Sequence, residues 1–162
     1  MPVVRPNSVE TKQKAPDARV DEQIMAPGKY ELSPDDVFEV DIYLRQVKGR
    51  WMLADVPGDG VAHEKATFRM WTYDERVEMR KKATTYDRIR RMHLIDNDAL
   101  NRLKIQKFLK SWTFSDSNPR LRLHHVNGVL TDECWEMFAK RLHPAISIHI
   151  IEEMNKVYEL VG

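Results

Sequence analysis

The residues best suited to binding a metal ion lie in the C-terminal third of the chain. They are four histidines and the only cysteine: His124, His125, His143, His149 and Cys134. Six residues span about 600° around a helix, so His143 and His149 would lie on different helix faces. The adjacent His124 and His125 would point to opposite sides of a strand. This spacing favours packing or surface roles, with Cys134 as a small buried hydrophobic group. We therefore predict no metal and no other cofactor.

An acid–base enzyme needs carboxylates whose environments differ and that share a pocket. The acidic side chains of this sequence mostly fall at expected helix ends or on solvated faces, and those at expected helix starts include Asp35, Asp36, Asp74, Asp98, Asp132 and Glu133. Negative charge stabilises the positive N-terminal end of a helix, so helix ends account for these carboxylates. The sequence also lacks a glycine-rich phosphate loop, a Gly-x-Ser-x-Gly elbow and a His-Glu-x-x-His motif. We predict that the protein is not an enzyme and has no catalytic residues.

A run of basic side chains, interleaved with Tyr73 and Tyr86, occupies the middle of the chain. This basic segment, residues 76–91, contains Arg76, Arg80, Lys81, Lys82, Arg88, Arg90 and Arg91. Basic clusters neutralise phosphates, and aromatic rings can stack on bases. Acidic neighbours (Glu75, Glu78 and Asp87) dilute the cluster, however. Nucleic-acid binding through the basic segment is therefore the alternative interpretation, and we expect protein partners first.

Composition limits the class of protein. The 162 residues include 26 basic and 25 acidic side chains, a net charge of +1, which argues against a nucleic-acid coat or a membrane-surface binder. One cysteine excludes an intrachain disulfide and fits a reducing compartment. No apolar run approaches the roughly 18 residues that span a bilayer, and we expect neither a signal peptide nor a membrane partner. Residues 69–122 concentrate positive charge, with 14 basic and 7 acidic side chains.

The first 28 residues differ from the rest of the chain. They contain four prolines and scattered apolar residues with neither helical nor strand periodicity. We predict an extended or disordered arm over 1–28 and a single α+β domain over 29–162. A partner would bury the apolar side chains of the arm, which are Val3, Val4, Val20 and Ile24. Trp51 is a further interface candidate because its neighbourhood is the least periodic, whereas core packing is expected for Trp71, Trp112 and Trp135.

The first half of the domain carries strand patterns. Ser33 and Pro34 begin a helix-start pattern, and the residues after them alternate between apolar and polar. We predict a short helical turn at 34–38 running into a strand, a turn at Lys48–Gly49, a return strand from Trp51 to Val56, a loop at 57–60, and a half-buried strand from Lys65 to Trp71. Together these form a small antiparallel sheet.

Four helices are expected after residue 73. We predict a charged helix over about 74–83, a second from Asp98 to 111–114, a short helix from Thr131 to Arg141, and a last helix that begins at Pro144. Lys104, Lys107 and Lys110 recur at three-residue steps and are expected on the solvated face of the second helix. The predicted fold class is α+β, a small antiparallel sheet followed by a C-terminal helical unit.

A series of short motifs follows one another from Ser33 to the C-terminus. They are Ser33-Pro34-Asp35-Asp36-Val37-Phe38, Asp55-Val56-Pro57-Gly58, the segment Thr67 to Arg76, the break at Ala83-Thr84, Leu109-Lys110-Ser111-Trp112-Thr113-Phe114, Asn127-Gly128, and Leu142-His143-Pro144-Ala145. Their order resembles that of the bacteriophage tail assembly chaperones. The loop Gly58-Asp59-Gly60 replaces the Trp-Gly-Gly of that family. The arm is also longer than a transient chaperone needs.

The resemblance implies an interaction protein that acts in tail morphogenesis, and it implies no catalytic residues. The implied partners are other phage tail proteins, namely tube, tape-measure or baseplate subunits, together with self-association. An assembly chaperone would work in the host cytoplasm and leave the finished particle, whereas a small tail or baseplate subunit would be retained in the virion tail. The sequence leaves both alternatives open, the assembly chaperone and the structural subunit.

Overall fold

The computed structural model describes residues 30–161, with side chains as far as residue 159. The predicted arm, including Val3, Val4, Val20 and Ile24, lies outside the described residues. Within them the chain has the expected α+β fold, an antiparallel sheet with helices packed on it. The buried side chains form one hydrophobic cluster.

Eight strands form three antiparallel sheets in residues 30–161. They are β1 (Val37–Val47), β2 (Arg50–Ala54), β3 (Val61–Arg69), β4 (Thr84–Asp87), β5 (Met92–Ile95), β6 (Leu109–Trp112), β7 (His125–Val126) and β8 (Val129–Leu130). The main sheet has the order β2-β1-β3-β6, and the pairs β4–β5 and β7–β8 form separate hairpins.

Residues 30–161 also contain five α-helices. They are α1 (Tyr73–Lys82), α2 (Asn97–Phe108), α3 (Phe114–Ser117), α4 (Asp132–Glu136) and α5 (Pro144–Val161). A 3₁₀ turn covers Pro119–Leu121, and a π-helical turn at Met137–Arg141 continues α4. No helix of the described part is long and apolar enough to cross a bilayer.

The β1–β2 hairpin follows from its two turn residues. Lys48 and Gly49 have φ angles of 52° and 79°, as the two central residues of a type I′ turn require. The turn and the return strand were predicted correctly. The helical turn predicted at 34–38 was wrong: the backbone N–H of Asp36 donates to the Ser33 carbonyl in a single turn, and β1 begins at Val37. Pairing of β1 with β3 along nine residue pairs outweighs the local helix signal.

The core lies between the main sheet and α5. Phe38 and Phe68 face each other across β1 and β3 and stack with ring centroids 5.2 Å apart. Tyr158 of α5 packs edge-on against Phe38, with centroids also 5.2 Å apart. Ile150, Met154 and Tyr158 recur every four residues and are all buried, so one stripe of α5 covers the sheet.

The second predicted helix ends earlier than expected. Helix α2 stops at Phe108, and Leu109 to Trp112 form β6, which pairs with the edge of β3. Both Leu109 and Trp112 are buried, and the Trp112 indole N–H donates to the Leu121 carbonyl at 2.7 Å. Sheet pairing therefore satisfies the backbone of a segment whose apolar spacing also suits a helix. The main sheet consequently includes a strand from the helical half of the chain.

Helix α1 begins with a complete capping box. The Thr72 hydroxyl accepts from the Glu75 N–H, and the Glu75 carboxylate accepts from the Thr72 N–H. The same carboxylate receives two hydrogen bonds from the Arg69 guanidinium, at 2.8 and 3.0 Å. These hydrogen bonds, opposed by partial burial, lower the pKa of Glu75 from its usual 4.5 to about 2. The pair thereby joins the end of β3 to the start of α1.

Replacing Glu75 with Gln tests this pair. At about pH 7 we expect Glu75→Gln to lower the free energy of unfolding by about 2 kcal/mol, because the charge-assisted hydrogen bonds are lost. A carboxyl whose pKa is depressed by folding stabilises the fold above its unfolded-state pKa, and this contribution is lost as the pH falls toward about 2. Urea unfolding at about pH 3 should show the wild-type advantage reduced to less than half. Glu78→Gln, which removes an exposed carboxylate paired with Lys82, should lower the free energy of unfolding much less, because solvent screens an exposed ion pair. Equal losses in the two variants would contradict the assignment.

Candidate functional site

The metal-ligand candidates have separate partners in the fold. The His125 Nε2–H donates to the Leu109 carbonyl at 2.8 Å, and the His149 Nε2–H donates to the Asp41 carbonyl at 2.9 Å. Residues 30–161 contain no group of three His, Cys, Asp or Glu side chains that could hold a metal ion. His125 and His149 therefore link neighbouring elements of the fold, whereas His124 and His143 are exposed.

Cys134 is buried in α4, as expected for a small hydrophobic group. Its sulfur accepts a hydrogen bond from the His124 backbone N–H at 3.2 Å, and its thiol contacts the Arg122 carbonyl at 3.8 Å. These contacts hold the segment before the β7–β8 hairpin against α4.

Most of the predicted helix-end carboxylates are at helix ends. Asp74 lies in the first turn of α1, Asp98 in that of α2, and Asp132 and Glu133 in that of α4. Asp96, immediately before α2, is the capping residue and accepts from two backbone N–H groups. Asp35 and Asp36 are the exception among the six carboxylates, because they lie in a turn and not at the start of a helix.

An apolar surface lies at one edge of the main sheet. This sheet-edge surface is formed by β2 and its flanks and consists of Val47, Trp51, Met52, Leu53 and Val56, which are all exposed. Trp51 is 50% exposed and Met52 is 55% exposed. In the described residues no strand pairs with the outer side of β2. Unpaired backbone groups and exposed apolar side chains therefore lie at the same edge of the main sheet.

The register explains why this surface is uncovered. Leu53 lies opposite Leu44, and Trp51 lies opposite Gln46, so both share the sheet face that carries Phe38 further along β1. On this face of β1, burial falls from the buried residues of its first half to the half-buried Leu44 and the exposed Gln46. The face that α5 covers at one end of the sheet thus continues past the helices and ends at Trp51.

The basic segment does not form one patch. Arg76 and Arg80 of α1 line one cavity, and together with Lys81 they line a second. Lys82 is exposed and is paired to Glu78 at 2.9 Å. The remaining arginines lie in the turn of the β4–β5 hairpin, which the sequence did not predict.

This hairpin turn is held by one carboxylate. Asp87 Oδ1 accepts from the backbone N–H groups of Ile89 and Arg90, at 2.9 and 3.1 Å, and Arg91 adopts a φ of 54°. Ile89 is 94% exposed, and Arg88, Arg90 and Arg91 are exposed beside it. The hairpin therefore presents three arginines around one apolar side chain, and the guanidinium of Arg90 lies 3.8 Å from the Asp87 carboxylate.

Lys104 is the residue that the sequence interpretation missed. It was expected on a solvated helix face, but it is buried, with 7% of its surface exposed. Its ammonium group reaches the cavity lined by Arg76 and Arg80. The signal was present in the sequence: Lys104 is four residues from both Leu100 and Phe108 and so lies on the apolar stripe of α2. A lysine in such a stripe marks a buried charge.

Comparisons with known protein families, curated proteins and solved structures give no match for this chain.

The burial of Cys134 predicts slow thiol chemistry. In the folded protein, a disulfide reagent such as Ellman's reagent should react many times more slowly than in denaturant, because the thiol is shielded from solvent. The denatured chain should release one equivalent of thionitrobenzoate from the reagent, since it contains one cysteine. Rapid and complete labelling of the folded protein would contradict this placement of Cys134.

Proposed function

We propose that the protein is a non-enzymatic bacteriophage tail morphogenesis protein that acts through protein–protein contacts. It works as an assembly chaperone or as a small structural subunit of the tail or baseplate. The sheet-edge surface is the observation that carries this proposal, and the order of the sequence motifs supports the tail context.

The physical argument rests on two properties of β2. An edge strand offers unpaired backbone N–H and C=O groups, which an extended segment of another chain can pair by β-strand addition. Here the edge also carries exposed apolar side chains: Trp51 and Leu53 lie on one face of the sheet, and Val47 and Met52 lie on the other. Exposed apolar side chains gathered at one edge mark interaction sites more often than isolated apolar residues do. Trp51 supplies a large rigid ring, the side-chain type most enriched among residues that dominate binding energy.

The partners are other tail proteins, namely tube, tape-measure or baseplate subunits, and a second copy of the chain. Binding takes place in the host cytoplasm while tails are assembled. A structural subunit would stay in the virion tail at fixed stoichiometry, whereas a chaperone would be absent from finished particles. Quantitative mass spectrometry of purified particles distinguishes these two forms of the proposal.

Replacing Trp51 with Lys tests the sheet-edge surface. We expect Trp51→Lys to weaken binding to the tube, tape-measure or baseplate protein of the same phage by about tenfold or more, because a central aromatic contact is lost and a charge is desolvated. Calorimetry with the purified partners and sedimentation for self-association measure this. Since Trp51 is half exposed, the melting temperature should change little.

Ile148→Lys is the matched control. Ile148 belongs to α5 and not to the sheet-edge surface, and it is 56% exposed, so this variant introduces the same charge at another exposed apolar side chain. It should bind as the wild type does. If wild-type protein binds none of these tail proteins and does not self-associate, or if both variants bind like the wild type, the proposed function fails.

Nucleic-acid binding is the second candidate, favoured by the three exposed arginines of the β4–β5 turn. If it operates, changing Arg88, Arg90 and Arg91 together to Gln should reduce the slope of log affinity against log salt by about 3 for double-stranded DNA. Fluorescence anisotropy over a salt series measures the slope. A control triple variant at Arg120, Arg122 and Arg141, which are exposed elsewhere, removes the same charge. DNA binding that persists unchanged in the hairpin variant would exclude this mechanism.

A further inference from the structure

A cavity of about 540 Å³ opens where three helices meet beside Trp71. Each helix contributes polar or charged side chains to its wall. Helix α1 supplies Arg76 and Arg80, α2 supplies Asn97, Asn101 and Lys104, and α5 supplies Asn155 and Glu159. The cavity shares no residue with the sheet-edge surface, and the proposed function does not use it.

The Lys104 ammonium is held in place within this wall. Its Nζ donates to Asn155 Oδ1 at 2.8 Å, and the Asn155 amide donates in turn to Asn101 Oδ1 at 3.0 Å. The rings of Trp71 and Tyr158 lie 5.5 and 5.9 Å from Nζ, within the range of a cation–π contact. An ammonium group has three donors. Its only hydrogen bond to the described residues is to a neutral amide, so donors remain for an anion.

The charges around the cavity are unbalanced. Burial, and to a smaller degree Arg80 and Arg76, lower the pKa of Lys104, while Glu159 raises it. The cavity is lined by three basic side chains, those of Arg76, Arg80 and Lys104, and by the acidic side chain of Glu159. Within residues 30–159, neither Arg76 nor Arg80 has a carboxylate within ion-pair distance. Grouping like charges next to a buried ammonium costs free energy, and a bound anion would offset that cost.

We propose that this cavity is a binding site for a small organic phosphate, a phosphate monoester of the size of a nucleoside monophosphate. A phosphate monoester carries a charge of about −1.5 to −2 near neutral pH, which matches the excess of positive charge. Guanidinium groups suit phosphate because their paired N–H donors match its oxygens. The volume lies in the range of small-ligand sites and exceeds what a phosphate group alone would fill. The asparagine amides provide donors and acceptors for the hydroxyls or ring nitrogens of the organic part.

The test uses the whole chain with AMP, inorganic phosphate, adenosine, and sodium chloride at matched ionic strength. Calorimetry and thermal unfolding should show saturable binding of AMP and a rise in melting temperature with its concentration. Phosphate should bind more weakly than AMP, and adenosine and chloride should have no comparable effect. Lys104→Met and Arg80→Gln should each weaken AMP binding by about tenfold or more. Lys81→Gln is the control, because it removes the same charge from the neighbouring exposed position of α1.

Folding is checked independently of binding. Lys104→Met keeps the length of the side chain and removes a buried charge, so its melting temperature without ligand should equal or exceed that of the wild type. Arg80 is exposed, so Arg80→Gln tests the site without a change in the core. No saturable response to AMP, an equal loss in Lys81→Gln, or unchanged affinity in both Lys104→Met and Arg80→Gln would overturn the proposal. Equal affinity for inorganic phosphate and AMP would overturn the proposal that the cavity recognises the organic part of the ligand.

Discussion

The ion pair between Arg69 and Glu75 is the contact at which the separate elements of the fold meet. Arg69 ends β3, and its guanidinium lies 4.8 Å from the centre of the Phe108 ring at the end of α2. Its backbone carbonyl accepts the Tyr158 hydroxyl of α5 at 2.9 Å. Glu75 both caps α1 and accepts the two hydrogen bonds from Arg69. One strand and three helices are therefore positioned relative to one pair of opposite charges.

Local signals in the sequence were sufficient for much of the fold. Alternation predicted the faces of β1 and β3, a pair of turn residues predicted the β1–β2 hairpin, and Pro144 predicted a helix start that the structure confirms. In each case the determining interaction lies within a few residues along the chain. These are the features that sequence reasoning handles best.

The features that sequence reasoning missed depend on distant residues. Leu109 to Trp112 fit a helical period, but they are strand because β3 leaves an edge open for pairing. The burial of Lys104 depends on Asn155, 51 positions further along the chain. The β4–β5 hairpin has a four-residue turn around Asp87 without glycine, so the usual hairpin signal is missing. For the candidate sites, Trp51 could be named from its surroundings in the sequence, whereas the cavity at Lys104 required the packing of three helices.

The direct passage from α2 to β6 has a mechanical consequence. The Leu109 N–H still donates to the Ile105 carbonyl as the last bond of the helix, while Leu109 itself is paired with Phe68 in the sheet. No linker separates the two elements, so α2 has no hinge at this end. A shift of the helix that carries Lys104 would have to move the β6 edge with it or break their shared residue. We therefore expect the part of the cavity wall that α2 forms to move together with the main sheet.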